Sequence, residues 1–171
     1  MLRKKQKMPD NNNYAFIDSQ NLNLGTQRMG WKLDWRKFRK YLKDHHGVTK
    51  AYMFIGYMSE NESLYEYMYE LGYLVVLKPT VDMNIPKEAD SKSEVPTDIE
   101  AKEKPTVKGN VDAELVLYAM KELNNYQKAI IVSGDGDFFG LAEYLNEQHK
   151  LAHIMAPNWQ YSSLLKPFEN K

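Results

Sequence analysis

Cysteine occurs nowhere in the 171-residue chain. Its absence excludes disulfides, zinc ribbons, iron–sulfur clusters and thiol catalysis together. Net charge is lacking too: Lys plus Arg and Asp plus Glu both number 23, giving +0. Without a global positive field, bulk charge does not hold such a chain to nucleic acid, so phosphate binding needs a local patch or a metal. No apolar run approaches the roughly 18–20 residues of a membrane span. The start, MLRKKQKMPDNNN, is basic, but no apolar segment follows, so it does not read as a secretory signal. The expectation is a soluble, cytoplasmic protein without membrane contact. Hydrophobic residues make up 43% and charged residues 27%, which suits one domain with a buried core.

Four segments carry apolar and β-branched residues without helical spacing and read as buried strands: Tyr14–Ile17, Ala51–Ile55, Tyr73–Leu77 and Ala129–Val132. A weaker fifth is Leu151–Met155. Helical patterns alternate with them. Trp35, Phe38 and Leu42 share one face after Asp34, a good N-cap. Leu64, Met68 and Leu71 share another before Gly72, a helix stop. Residues 111–123 read as a buried helix capped by Asn110, and Leu141, Ala142, Leu145 and His149 line the last helix. His45 and His46 suit a helix C-terminus, where the dipole favours cations. Strand–helix alternation predicts an α/β fold: one Rossmann-like domain with a mainly parallel five-stranded sheet flanked by helices.

Two segments stand apart from this body. Residues 1–12 read as a flexible basic tail with Arg3, Lys4, Lys5 and Lys7. Residues 79–107 hold Pro79, Pro86, Pro96 and Pro105 with mixed charge and little apolar content, and read as a flexible insertion into the domain spanning 13–171.

In parallel sheets the site lies outside the carboxyl ends of the strands. Strand one ends in Asp18-Ser19-Gln20-Asn21, and strand four ends in Ser133-Gly134-Asp135-Gly136-Asp137-Phe138. Carboxylates two apart on a glycine turn raise each other's pKa unless a cation neutralises them. A hard ion such as Mg²⁺ or Mn²⁺ prefers such oxygen ligands. The plainer reading makes Asp135 and Asp137 helix caps. Asp112, in Lys108-Gly109-Asn110-Val111-Asp112, is a further candidate that by itself reads equally as a first-turn acid. Sharper motifs fail. The glycines of 134–140 are misspaced for a dinucleotide fingerprint, Phe139 and Asn146 stand where an EF-hand needs ligands, and no P-loop occurs.

These three segments resemble the three signatures of NYN domains, the LabA-like branch of the PIN-like nuclease superfamily. The order and approximate spacing agree from about residue 13 to residue 168, with 79–107 enlarging a variable loop. The resemblance implies sheet order 3-2-1-4-5, with Asp18, Asp112, Asp135 and Asp137 gathered into one catalytic pocket. It implies one or two Mg²⁺ or Mn²⁺ ions there and hydrolysis of RNA, with a homodimer plausible. Asn21, Ser133 and Lys108 match positions that would support the site. The chain departs from the resembled pattern at Tyr118, near which many members carry another Asp.

The expected activity is therefore metal-assisted phosphodiester hydrolysis, with single-stranded RNA as partner. Arg36, Arg39, Lys40 and Lys43 fall on the helix face away from Trp35, Phe38 and Leu42 and are the candidate RNA-binding residues; a solvated helix face explains the same pattern. Trp31 and Trp159 suit base stacking or packing equally. The alternative function is a non-catalytic RNA-binding or protein-docking module that keeps the acidic pocket. A haloacid dehalogenase-type phosphatase is a remoter rival, since Gln20 stands where that family has its second Asp.

Overall fold

The computed structural model describes residues 12–78 and 111–169. The basic tail before Asn12, the insertion at 79–107, Lys108 and the Asn110 cap lie outside them. Among the described residues five strands form one sheet: β1 (Asn13–Asp18), β2 (Val48–Gly56), β3 (Tyr73–Lys78), β4 (Ala129–Val132) and β5 (Leu151–Ile154). Their order is β3-β2-β1-β4-β5 and every neighbouring pair is parallel, as the family resemblance implies. The helices are α1 (Ser19–Arg28), α2 (Trp35–His46), α3 (Glu62–Glu70), α4 (Asp112–Lys121) and α5 (Phe139–Glu147). Short 3₁₀ turns cover Gly136–Phe138 and Ser163–Phe168.

The period of two in β1 divides the core. Tyr14 and Phe16 pack on one face with Leu115 and Ala119 of α4 and Leu141 and Leu145 of α5. Ala15 and Ile17 pack on the other with Leu22 of α1, Leu42 of α2 and Met68 of α3. Helices thus cover both faces, the arrangement that buried parallel strands require. Each fully buried ring, such as Phe16 or Phe54 at 0% exposure, contributes roughly 1.5–3 kcal/mol.

Asp34 caps α2 as expected, accepting from the Lys37 amide at 3.0 Å. Gly72 follows α3 at φ +85°, a left-handed conformation that costs glycine little. Three features differ from the sequence expectation. Residues 19–28 carry no helical pattern and have poor helix formers, yet they form α1, anchored by its Asp18 cap and by buried Leu22. In α3 the buried residues are Tyr65 and Met68, while Leu64 is 41% exposed. Tyr65 displaces it because its hydroxyl accepts from the Met58 amide at 2.9 Å, tying the helix to the chain after β2. His149 lies beyond α5 at φ +56° and is exposed.

Candidate functional site

β1 and β4 are adjacent and in register from Tyr14↔Ala129 to Ile17↔Val132. The next residues, Asp18 and Ser133, therefore emerge side by side at the carboxyl edge. Asp18 is 5% exposed. One of its carboxylate oxygens accepts from the Asn21 amide at 3.0 Å, capping α1, and the other accepts from Ser133 Oγ at 3.2 Å. Burial pushes its pKa above the usual carboxylate value; the Asn21 and Ser133 hydrogen bonds pull it down, and the nearby charge of Asp135 adds to the rise.

Asn21 reaches across this edge. Its Oδ1 accepts from the Gly134 amide at 2.9 Å. The Asp135 amide donates to Ser133 Oγ at 3.2 Å, and the Asp137 amide donates to Asp135 Oδ1 at 3.0 Å. Asp135 thus does cap the following 3₁₀ turn, as the plainer reading expected, while one cap bond leaves acceptor capacity on its carboxylate. The turn is also propped from the C-terminal side. The Ser162 amide donates to the Gly134 carbonyl at 2.9 Å, and a Cβ on Gly136 would meet Ser162 Oγ at 2.3 Å. Glycine is needed there for close approach. Likewise a Cβ on Gly25 would meet Pro157 Cγ at 2.3 Å, seating α1 against the same segment.

Asp112 opens α4 and converges on the turn from the side of Tyr14 and Phe16. Among the described residues, Asp112, Asp135 and Asp137 each offer one carboxylate oxygen within 4.8 Å of the others. Asp112 and Asp135 are half-buried and Asp137 is exposed. Asp18 is not in this group; its oxygens are turned to Asn21 and Ser133. Oxygen-only donors at this spacing suit a hard divalent cation.

The α2 cations divide. Arg39 donates to the carbonyls of Gly72 at 3.0 Å, Val48 at 3.4 Å and Thr49 at 3.2 Å. Those carbonyls lie before β3 and at the start of β2, so Arg39 sits at the amino edge, opposite the acids. Lys40 pairs with Asp44. Arg36, in the first turn of α2, and Lys43, in the last, are exposed. Tyr118 packs its ring 5.6 Å from Tyr52 and 5.7 Å from Phe54, so the position where the resemblance leads one to expect an acid is taken up by an aromatic contact.

Residues 14–166 match the NYN domain. The chain belongs to the NYN domain family. Membership gives it a nuclease-type fold in the general setting of PIN-like proteins, a family whose nucleases typically use divalent metals. The crystal structure of a protein of unknown function from Vibrio parahaemolyticus is similar in fold, with TM-score 0.66 at 18% identity, over 95% of this chain and 93% of that one. No curated protein matches the sequence. No helix among the described residues is long and apolar enough to cross a membrane.

Sequence reasoning missed a second feature of this edge of the NYN fold. A cavity of about 420 Å³ opens beside Ser19 and Gln20, on the α1, α2 and α3 side. Its walls come from five segments, which no local pattern connects. The one available signal was the apolar Leu64, predicted to be core and found at the rim of this cavity.

Proposed function

We propose that this NYN protein is a divalent-metal-dependent ribonuclease that hydrolyses phosphodiester bonds of single-stranded RNA. The observation that carries the reading is the convergence of Asp112, Asp135 and Asp137 from two separate segments at the carboxyl edge. Three carboxylates so close repel one another unless a cation offsets them. They would hold Mg²⁺ or Mn²⁺, and the ion supplies Lewis-acid chemistry that lowers the pKa of the attacking water and offsets phosphate charge.

The chain's own residues keep that pocket in shape. Asp18 and Ser133 fix the start of the turn, and Asn21 holds the Gly134 amide. In this reading Asp18 is a positioning residue for Asp135. Arg36, at the carboxyl-edge end of α2, and not the engaged Arg39 and Lys40 or Lys43 at the amino-edge end, meets RNA phosphates. Trp31 and Trp159 are 71% and 73% exposed, which favours base stacking over packing.

The test is cleavage of single-stranded RNA by purified protein in Mn²⁺, Mg²⁺ or EDTA, beside Asp135→Asn and Asp112→Asn. Metal-dependent cutting that falls about 100-fold or more in both variants is expected, by the scale of losing one electrostatic stabiliser. Equal activity in wild type and variants would refute the assignment. The packing of Tyr118 at a commonly acidic position favours a second reading, a binding module without turnover. It requires metal or RNA binding with no cleavage under every condition.

A further inference from the structure

The cavity beside Gln20 shares the carboxyl edge with the acid cluster but has a different composition. None of its lining residues is charged. Its apolar wall includes Trp35, Met58 and Leu64, and its polar groups include the amides of Gln20, Asn23 and Asn61. Trp35 is held in place: its ring meets Tyr73 edge-on at 6.2 Å, and the Tyr73 hydroxyl donates to the Trp35 carbonyl at 2.8 Å. The Gln27 amide donates to Asn23 Oδ1 at 3.3 Å, so Asn23 keeps its NH₂ for another partner. Leu24 and Leu64 are 42% and 41% exposed at the rim.

A pocket of this kind disfavours a phosphate, whose charge no cation in the lining would offset, and disfavours a charged side chain, which would be desolvated without a counter-charge. It accepts a flat, neutral group whose faces are apolar and whose edge carries paired donors and acceptors. Within RNA that group is the base. Asn and Gln amides present a donor and an acceptor together and match base edges bidentately. The volume lies within the range of small-molecule sites, roughly 300–1,000 Å³, and leaves room for a base with its ribose.

We infer that this cavity is a nucleobase pocket that selects which nucleotide lies next to the acid cluster. The inference rests on the ribonuclease reading only for the identity of the polymer. Ser19 and Gln20 follow Asp18 directly, while the acids lie on the opposite face of the sheet edge. A strand with its phosphate at Asp135 therefore passes over the end of β1 and turns a flanking base into the pocket.

The experiment measures binding of labelled homopolymeric RNAs of A, C, G and U by fluorescence anisotropy in EDTA, where nothing is cut. Wild type is expected to discriminate among them by about tenfold or more, the scale of one bidentate amide–base contact. The Gln20→Leu/Asn23→Leu double variant keeps the shape but loses the edge contacts, so the spread collapses to about twofold. Leu64→Trp fills the mouth from an exposed helix position and weakens the preferred RNA about tenfold, with thermal melting confirming the fold. Equal binding of all four RNAs by wild type, or a preference untouched by both variants, would overturn the inference. Base selection by a protein that cuts nothing would sink the ribonuclease reading and leave the pocket standing. Metal-dependent cutting with no base preference would do the reverse.

Discussion

Asn21 holds two structures together with one side chain position. It lies in the first turn of α1, and its Oδ1 takes the Gly134 amide 113 residues away. Asn21→Ala leaves that half-buried N–H without its acceptor, a loss of about 1–3 kcal/mol. We expect urea denaturation to show this destabilisation and Mn²⁺ affinity to fall with it, while Asn21→Asp, which keeps an acceptor, recovers most of the stability. A second residue-scale expectation concerns the other end of the sheet. His46 and His153 rings meet edge-on at 4.7 Å, and burial, followed by His153 and His45, holds the His46 pKa below its ordinary 6.5. The folded state therefore binds fewer protons here than the unfolded chain in the window just below pH 6.5. Stability from this group is fully present above that pH and is lost as pH falls through the folded-state pKa. Melting temperature measured from pH 7.5 to 5 should drop more for wild type than for His46→Phe; parallel curves would dismiss the effect.

α2 shows why a charge pattern alone misleads. Its spacing of Arg36, Arg39, Lys40 and Lys43 on the face away from Trp35, Phe38 and Leu42 reads as one basic stripe. In the fold the helix runs from the carboxyl edge, where Trp35 borders the cavity, to the amino edge, where His46 precedes β2. A 12-residue helix spans about 18 Å, so its two ends serve different places. Arg39 fastens the amino edge through three carbonyls, and we expect Arg39→Met to cost about 1–3 kcal/mol in denaturation with RNA affinity changed less than twofold. A large affinity loss at unchanged stability would restore it to the RNA surface. α1 gives the converse lesson. Asn, Gly, Thr and Ser make it illegible by propensity, because beyond its local Asp18 cap what stabilises it is tertiary: buried Leu22 and the close approach of Gly25 to Pro157. The strands were legible because their apolar runs need no partner to be recognised, and Asp18, Asp135 and Asp137 because they end such runs. That the carboxylate of Asp18 is engaged by Asn21 and Ser133 and stands outside the three-acid group was not, since it depends on Ser133 and on a helix that sequence did not reveal.

The whole molecule should respond to its ion. If Asp112, Asp135 and Asp137 hold Mn²⁺ in the native state only, metal at about 100 times its dissociation constant adds roughly 2.7 kcal/mol of stability. For a domain of this size that raises the melting temperature by about 5–10 °C. Calorimetry with Mn²⁺, Mg²⁺ and EDTA checks this, and Asp135→Asn should abolish the rise; an equal rise in the variant would place the ion elsewhere. The prop that Ser162 supplies to the acid turn also has a consequence in time. Chains are synthesised from the amino end and fold as they emerge, at about 5–20 residues per second. The three carboxylates are therefore outside the ribosome before Ser162 and Pro157 arrive to brace them. A growing polypeptide carries the acids on a turn without the Ser162 hydrogen bond, and their final geometry is set only when the last segment of the domain folds onto it.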